Sequence, residues 1–300
     1  MRLAALLLGV LIAQDHGSRA TFSSRADLVV LQVSVVDRHA GFVAGLPRDA
    51  FVVRENGRAQ PITVFDPDDT PVTIGLVIDN STSMVPRRDA VIAAGLAFAR
   101  ASHPQDELFA IHFNENVWPG LAPGQPFTSD YATLRQALGR STARGKTAMF
   151  DGLLAALRHL DRGSQSRKVL ILISDGGDNA STATFAEVLD AALRRSVVIY
   201  TIGLADENDR EARPRVMREI AKVTGGEAFF PKSNDDIGPA LERICRDIRS
   251  SYTIGYAPPP GPRGEDKRKV EVDLLGPQYD RFAVRARSVY IAAGGGGSVH

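Results

Sequence analysis

Hydrophobic and polar residues are spaced in three different ways along this chain. Between Leu28 and Phe65 the apolar positions recur every second residue. Leu31, Val33 and Val35 alternate with Gln32 and Ser34, as in a strand with one wet face. Asn56-Gly57 stands between Phe51-Val52-Val53 and Ile62-Thr63-Val64-Phe65. Both turn residues accept positive φ, so a hairpin joining those two runs is predicted. Pro61 lacks an amide proton, which puts the return strand on a sheet edge.

From Val72 to about Ser250 the grammar changes. Val72–Ile78, Leu108–Phe113, Val169–Ile173 and Val197–Ile202 are nearly unbroken apolar runs. Such strands are buried on both faces, which requires a mainly parallel sheet with helices on either side. The segments between them carry helical stripes: Met149, Leu153, Leu157 and Leu160 in one, Ile237, Leu241, Ile244 and Ile248 in another. A further helix is expected to turn Ile92, Leu96 and Ala99 inward. This is an α/β, doubly wound, mainly parallel Rossmann-like sheet.

After Ser251 the strand pattern returns in Tyr252–Ala257, in Val270, Val272 and Leu274 alternating with charged residues, and in one strand over Arg281–Ile291. Two β segments flanking one α/β unit are expected to pack together as a small β-sandwich-like appendage. The layout is then a targeting segment (1–20), an N-terminal β segment (21–70), the α/β domain (71–250), a C-terminal β segment (251–292) and a flexible tail (293–300).

The targeting segment rests on Arg2 followed by the apolar run Leu3–Ala13. That run is too short to span a bilayer, which takes about 20 residues, but it suits a signal peptide. Export to the periplasm or beyond is the expectation, and no later stretch reads as a transmembrane helix. Net charge is +1 with 24% charged residues, which gives no basic field for nucleic acid. Cys245 is the only cysteine, so no internal disulfide forms; its place on a helical stripe predicts burial.

In an open α/β sheet, ligands bind beyond the C-terminal ends of the strands. One strand runs into Asp79-Asn80-Ser81-Thr82-Ser83, another into Asp175-Gly176-Gly177-Asp178. Carboxylates with several hydroxyls make a hard-oxygen site suited to Mg²⁺. Two carboxylates under-neutralise such an ion, leaving it able to accept a carboxylate from outside. That is a binding mechanism and needs no general base.

Asp79-x-Ser81-x-Ser83 resembles the metal-ion-dependent adhesion site of von Willebrand factor type A domains. The family draws a threonine from the loop before a central helix, matched by Thr147 in Gly145-Lys146-Thr147-Ala148-Met149, and an aspartate after the fourth strand, matched by Asp175. Val33–Asp37, Gly45–Asp49, Phe51–Gly57 and Tyr252–Pro258 are similar to a bacterial, Acidobacteria-type subgroup that carries β segments on both sides of the domain. Asn80-Ser81-Thr82 departs from the family's frequent Thr-Ser-Gly, with the ligand oxygens unaffected. The resemblance implies a noncatalytic adhesion module. Mg²⁺, with Mn²⁺ or Ca²⁺ as substitutes, would sit on Asp79, Ser81, Ser83, Thr147 and Asp175, and an acidic residue of a protein partner would complete the coordination.

Other readings fit parts of the pattern. The aspartates and serines could cap turns, and Ser83 could cap the helix after it. Gly145-Lys146-Thr147 looks like part of a phosphate loop, but Arg140 stands where that motif needs glycine. A metal-dependent hydrolase or phosphatase would need Asp178 or Asp151 beside the ion; both read better as loop or helix-start carboxylates. A purely structural envelope protein would use the metal only to stiffen its loops. The acidic stretch Asp206–Glu211 lacks the spacing of a calcium loop and reads as solvated.

Overall fold

The computed structural model describes residues 28–292 apart from 38, 40, 68, 141, 205–212 and 260–266. The apolar run Leu3–Ala13, the tail after residue 292 and the acidic stretch Asp206–Glu211 lie outside the described residues.

The chain opens with β1 (Val29–Asp37), whose inward residues Leu31, Val33 and Val35 are buried as the alternation predicts. Four short strands follow: β2 (Gly41–Phe42), β3 (Phe51–Glu55), β4 (Arg58–Gln60) and β5 (Val64–Asp66). The Asn56-Gly57 hairpin forms with both residues at positive φ, but its return strand is β4, not Ile62–Phe65. A two-residue turn fixes the register at once, pairing Glu55 with Arg58 and Val53 with Gln60. Pro61 then has no proton to continue the ladder, and the chain leaves for a different sheet, where β5 takes the edge.

The α/β unit comprises β6 (Val72–Asp79), α1 (Arg88–Ala101), β7 (Glu107–Phe113), β8 (Val117–Pro119), α2 (Tyr131–Gly139), α3 (Met149–Leu160), β9 (Arg167–Ser174), α4 (Phe185–Arg195), β10 (Val198–Gly203), α5 (Pro214–Thr224), β11 (Ala228–Phe229) and α6 (Ile237–Ser250). Its six-stranded sheet has the order β11-β10-β9-β6-β7-β8, with only β8 antiparallel. Every residue of β6 and β10 is buried, as their unbroken apolar sequence requires. The crossover from β6 to β7 runs one way along the sheet, and those to β9, β10 and β11 run the other. Right-handed connections therefore place α1 on one face and α3, α4 and α5 on the other, and α1 packs against α2 and α6 while α3 packs against α4. The direction of winding reverses between β6 and β9.

Met149, Leu153, Leu157 and Leu160 are fully buried on α3, and the α6 stripe is likewise inside. Each such side chain stabilises by about 1.5–3 kcal/mol. On α1 the inner face is Val91, Ala94, Gly95 and Phe98; Ile92, Leu96 and Ala99 are only half-buried at its margin. Phe98, the largest apolar side chain of that helix, is among the buried residues. Cys245 is buried.

The chain ends in β12 (Tyr252–Tyr256), β13 (Lys267–Leu274), β14 (Phe282–Arg285) and β15 (Val289–Ile291). The stretch Arg281–Ile291 is thus two strands, and they belong to different sheets. One sheet has the order β14-β1-β12-β5, with β2 beside β1; the other has β15-β13-β3-β4. Both contain strands from the N- and C-terminal segments, and they share one core that includes Leu31, Val53, Tyr252 and Val270.

Where the chain enters and leaves the α/β unit, buried Arg167 donates to the Thr70 and Ile248 carbonyls and to Ser251 Oγ. Arg285 reaches from β14 to Asp247 on α6 and to Glu227 (2.7 Å). Among the described residues no helix is long and apolar enough to cross a membrane.

Candidate functional site

The switch between β6 and β9 is where a ligand cleft is expected, and both strands deliver an aspartate there. Asp79 is the last residue of β6, and Asp175 follows Ser174 at the end of β9. Both carboxylates are buried. The turn after Asp79 is set by its own side chain: Asp79 Oδ1 accepts the Ser81 amide at 2.8 Å. Ser174 Oγ donates to Asp79 Oδ2 at 2.6 Å. The Ser81 and Ser83 hydroxyls are 3.1 Å apart, and Ser83 Oγ donates to Asp175 Oδ2. Asp79, Ser81, Ser83 and Asp175 therefore belong to one hydrogen-bonded set, Asp79 joining it through the Ser81 amide.

Ser81 is buried but Ser83 is exposed, so the set opens to solvent on the serine side. Ser83 lies inside a 3₁₀ turn, Thr82–Arg87. It caps nothing: the residue preceding α1 is Arg87, without a side-chain cap, and the hydroxyl is spent on Asp175.

Thr147 arrives on the loop before α3, and its backbone ties it to the β9 loop. Its amide donates to Asn179 Oδ1 at 2.9 Å, and its carbonyl accepts from the Asn179 and Ala180 amides, both at 3.0 Å. The same loop is bonded to the β6 turn: Arg144 N–H donates to the Asn80 carbonyl (2.8 Å), and Thr82 N–H to the Gly145 carbonyl (3.2 Å). All three loops named from the sequence are cross-bonded in pairs. Gly145 takes φ +80, and Glu115 Oε2 accepts the Lys146 amide at 2.8 Å, so a carboxylate occupies this turn rather than a phosphate cradle.

Asp178 and Asp151 are otherwise engaged. Asp178 Oδ2 accepts the Phe150 amide (3.0 Å) and the Ser181 hydroxyl (2.6 Å), while Asp151 accepts the Thr182 and Ala183 amides. These are carboxylates of a helix start and a loop.

Burial pushes the Asp79 carboxyl up from 3.8 to about 7; the Asp175 charge adds to the rise, while the Ser174 and Ser81 hydrogen bonds oppose it. No salt bridge among the described residues reaches either aspartate. Among them there is also no group of three or more His, Cys, Asp or Glu side chains arranged for a metal. A cation here would have to rely on hydroxyls. In an octahedron with 2.0–2.1 Å bonds, neighbouring oxygens stand about 2.9 Å apart. The Ser81–Ser83 separation of 3.1 Å, which is also an ordinary hydrogen-bond distance, is compatible with that spacing for these two hydroxyls.

Several supporting residues escaped the sequence reading: Ser174, Asn179, Asn80 and His112. Ser174 adjoins a strand-end aspartate and was visible in principle. His112, alone in an apolar strand, carries no local sign of what it faces.

The von Willebrand factor type A domain model matches residues 73–244. Among curated protein sequences none matches the chain. Of solved structures, a von Willebrand factor type A protein from Catenulispora acidiphila is 16% identical with a TM-score of 0.54, the match covering 88% of this chain and 73% of that one. That coverage exceeds what residues 73–244 alone supply. Proximal thread matrix protein 1 from the mussel byssus is 18% identical with a TM-score of 0.53, over 65% of this chain and 51% of its own. At these identities the likeness is one of fold. With the family model spanning more than half its length, the chain belongs to the von Willebrand factor type A domain family.

Proposed function

We propose that this chain is an exported protein-binding module whose binding depends on a divalent cation. Asp79, Ser81, Ser83, Thr147 and Asp175 would hold Mg²⁺, with Mn²⁺ or Ca²⁺ as substitutes, directly or through water. The ion supplies a Lewis-acid point to which an acidic side chain of a protein partner can bind. The observation that carries this reading is the hydrogen-bonded set of Asp79, Ser81, Ser83 and Asp175 at the strand switch, with two buried carboxylates that have no salt-bridge partner among the described residues and two serine hydroxyls 3.1 Å apart.

The chain's own residues divide the work. Asp79 and Asp175 provide the negative charge, and the Asp79 side chain also orients the turn that presents Ser81. Exposed Arg144 and Lys146 flank Gly145 at the rim; neither forms a salt bridge with a described residue, and with the exposed Glu115 carboxylate in the same turn they leave one net positive charge there, which favours an acidic partner. The loops are already joined by hydrogen bonds, so an ion is not needed merely to hold them together. With Asp151 and Asp178 engaged elsewhere, binding fits better than hydrolysis. Export rests on the Leu3–Ala13 run.

Calorimetric titration of the wild type and of Ser83→Ala with Mg²⁺ and with Mn²⁺ tests the site. One-site binding is expected, weakened at least about tenfold by loss of one ligand. A wild type that takes up neither ion would overturn the proposal. Affinity capture from envelope extracts with and without chelator then tests the partner: a metal-dependent site captures its protein only without EDTA.

A further inference from the structure

His112 is the one polar residue in the run Leu108–Phe113, and no solvent reaches it. Its place on β7 is opposite Ile78, next to the strand end that carries Asp79. Its two ring nitrogens have partners of opposite kind. Nε2 is 3.0 Å from the Ala137 carbonyl, which can only accept, so this nitrogen carries the proton. Nδ1 is 3.0 Å from Asn80 Nδ2, which can only donate, so this nitrogen is bare. The amide of Asn80 is fixed by the same logic, since Nδ2 also donates to the Ile78 carbonyl at 3.0 Å. Trp118 stacks on the imidazole, with ring centroids 5.8 Å apart and planes 20° from parallel.

Asn80 is thereby a junction. Its amide N–H donates to the Phe113 carbonyl at 2.7 Å, and its carbonyl accepts Arg144 N–H at 2.8 Å. One residue thus joins β6, β7 and the loop that leads to Thr147, between Asp79 on one side and Ser81 on the other.

We infer that Asn80 and His112 form a positioning pair: the acceptor at His112 Nδ1 orients the Asn80 side chain and so sets where the Asp79–Ser83 turn stands relative to the α2–α3 loop. The placement of the turn is a property of the chain itself. Its consequence for metal affinity rests on the cation-binding reading above.

Native-state hydrogen exchange in chelator reads the placement without any metal, at the amides of Asn80, Ser81 and Arg144. His112→Leu and Asn80→Ala each remove the pair's mutual bond. His112→Asn puts an amide oxygen where Nδ1 stands and restores an acceptor for Asn80 while giving up Ala137. Losing one hydrogen bond of ordinary strength should speed exchange at the three amides about fivefold to tenfold in the first two variants, with strand amides of β9 and β10 unchanged and His112→Asn close to wild type. A Mg²⁺ titration of the same proteins should show Kd raised by about the same factor in His112→Leu and Asn80→Ala only. Exchange that accelerates equally across the sheet, or equally in His112→Asn and His112→Leu, would reduce the pair to ordinary core packing. Should the wild type bind no Mg²⁺, the cation reading falls while the exchange pattern still decides the positioning role.

Discussion

Replacing Asp79 by Asn isolates the charge at the centre of the site. Burial raises this carboxyl from 3.8 to about 7. In the unfolded chain it ionises near 3.8, so between about 4 and 7 the native state holds a proton that the unfolded state has lost. Stability from this group is therefore complete below pH 4 and drains away as pH rises to about 7. A rise of roughly three units at 1.36 kcal/mol each sets an upper limit of about 4 kcal/mol. Part of that is not recovered by the amide. Ser174 Oγ donates to Asp79 Oδ2, and an amide nitrogen there cannot accept, which costs about 1–2 kcal/mol. In EDTA at pH 8, Asp79→Asn should therefore be more stable than wild type by about 2 kcal/mol, or about 4–8 °C in Tm. At pH 4 the wild-type carboxyl is protonated in the native state and the charge penalty is nearly gone, only the lost Ser174 bond remains, and the variant should be less stable than wild type by about 1–2 kcal/mol. Urea unfolding of both proteins at pH 4, 6 and 8 measures it, and titrating groups remote from Asp79 cancel in the difference. Excess Mg²⁺ should then stabilise the wild type, as any ligand of the native state does, and leave the variant nearly unmoved. A variant less stable than wild type in EDTA at pH 8, or a difference independent of pH, would show that Asp79 carries no electrostatic penalty awaiting a cation.

Two further predictions concern the scaffold. A methyl added at Gly75 in β6 would meet the Phe109 ring and stand 2.6 Å from Leu170 Cδ2, both fully buried, so Gly75→Ala should cost about 1–3 kcal/mol; an unchanged urea midpoint would mean that the sheet can relax there. Glu55 is buried and accepts from the Tyr256 and Tyr290 hydroxyls (2.8 and 2.7 Å) and from Arg268 (2.8 Å). Glu55→Ala strands that arginine between the two β sheets and should cost about 3–5 kcal/mol in urea unfolding, against less than about 1 kcal/mol if water replaces the carboxylate.

Elements whose signal is contained in their own residues were legible. The unbroken apolar runs of β6, β9 and β10 demanded two covering layers, because no strand so apolar can leave a face in water. The α3 and α6 stripes named their buried residues correctly for the same reason. The strand-end aspartates were legible too, since the fold class dictates which end of a strand meets the cleft.

Pairing was less legible. Asn56-Gly57 announced a turn, but which residues returned depended on the register that a two-residue turn imposes and on Pro61 closing the ladder after Gln60. Arg281–Ile291 looked like one strand because alternation says nothing about which sheet each half joins. On α1 the stripe Ile92, Leu96, Ala99 lost the centre of the interface to Val91, Ala94 and Phe98, because two overlapping apolar stripes run along this helix and only packing chooses between them.

The order of apolar and polar residues thus determined the layers, the helix faces and the strand ends that bear Asp79 and Asp175. Tertiary structure alone decided what those ends meet, Ser83 on Asp175, Ser174 on Asp79 and His112 under Asn80, and it likewise set Arg285 of β14 on Asp247 of α6. Periodicity is a local property, enforced residue by residue by the exclusion of water. A hydrogen bond between residues 30 to 95 positions apart exists only once the sheet has brought their strands together.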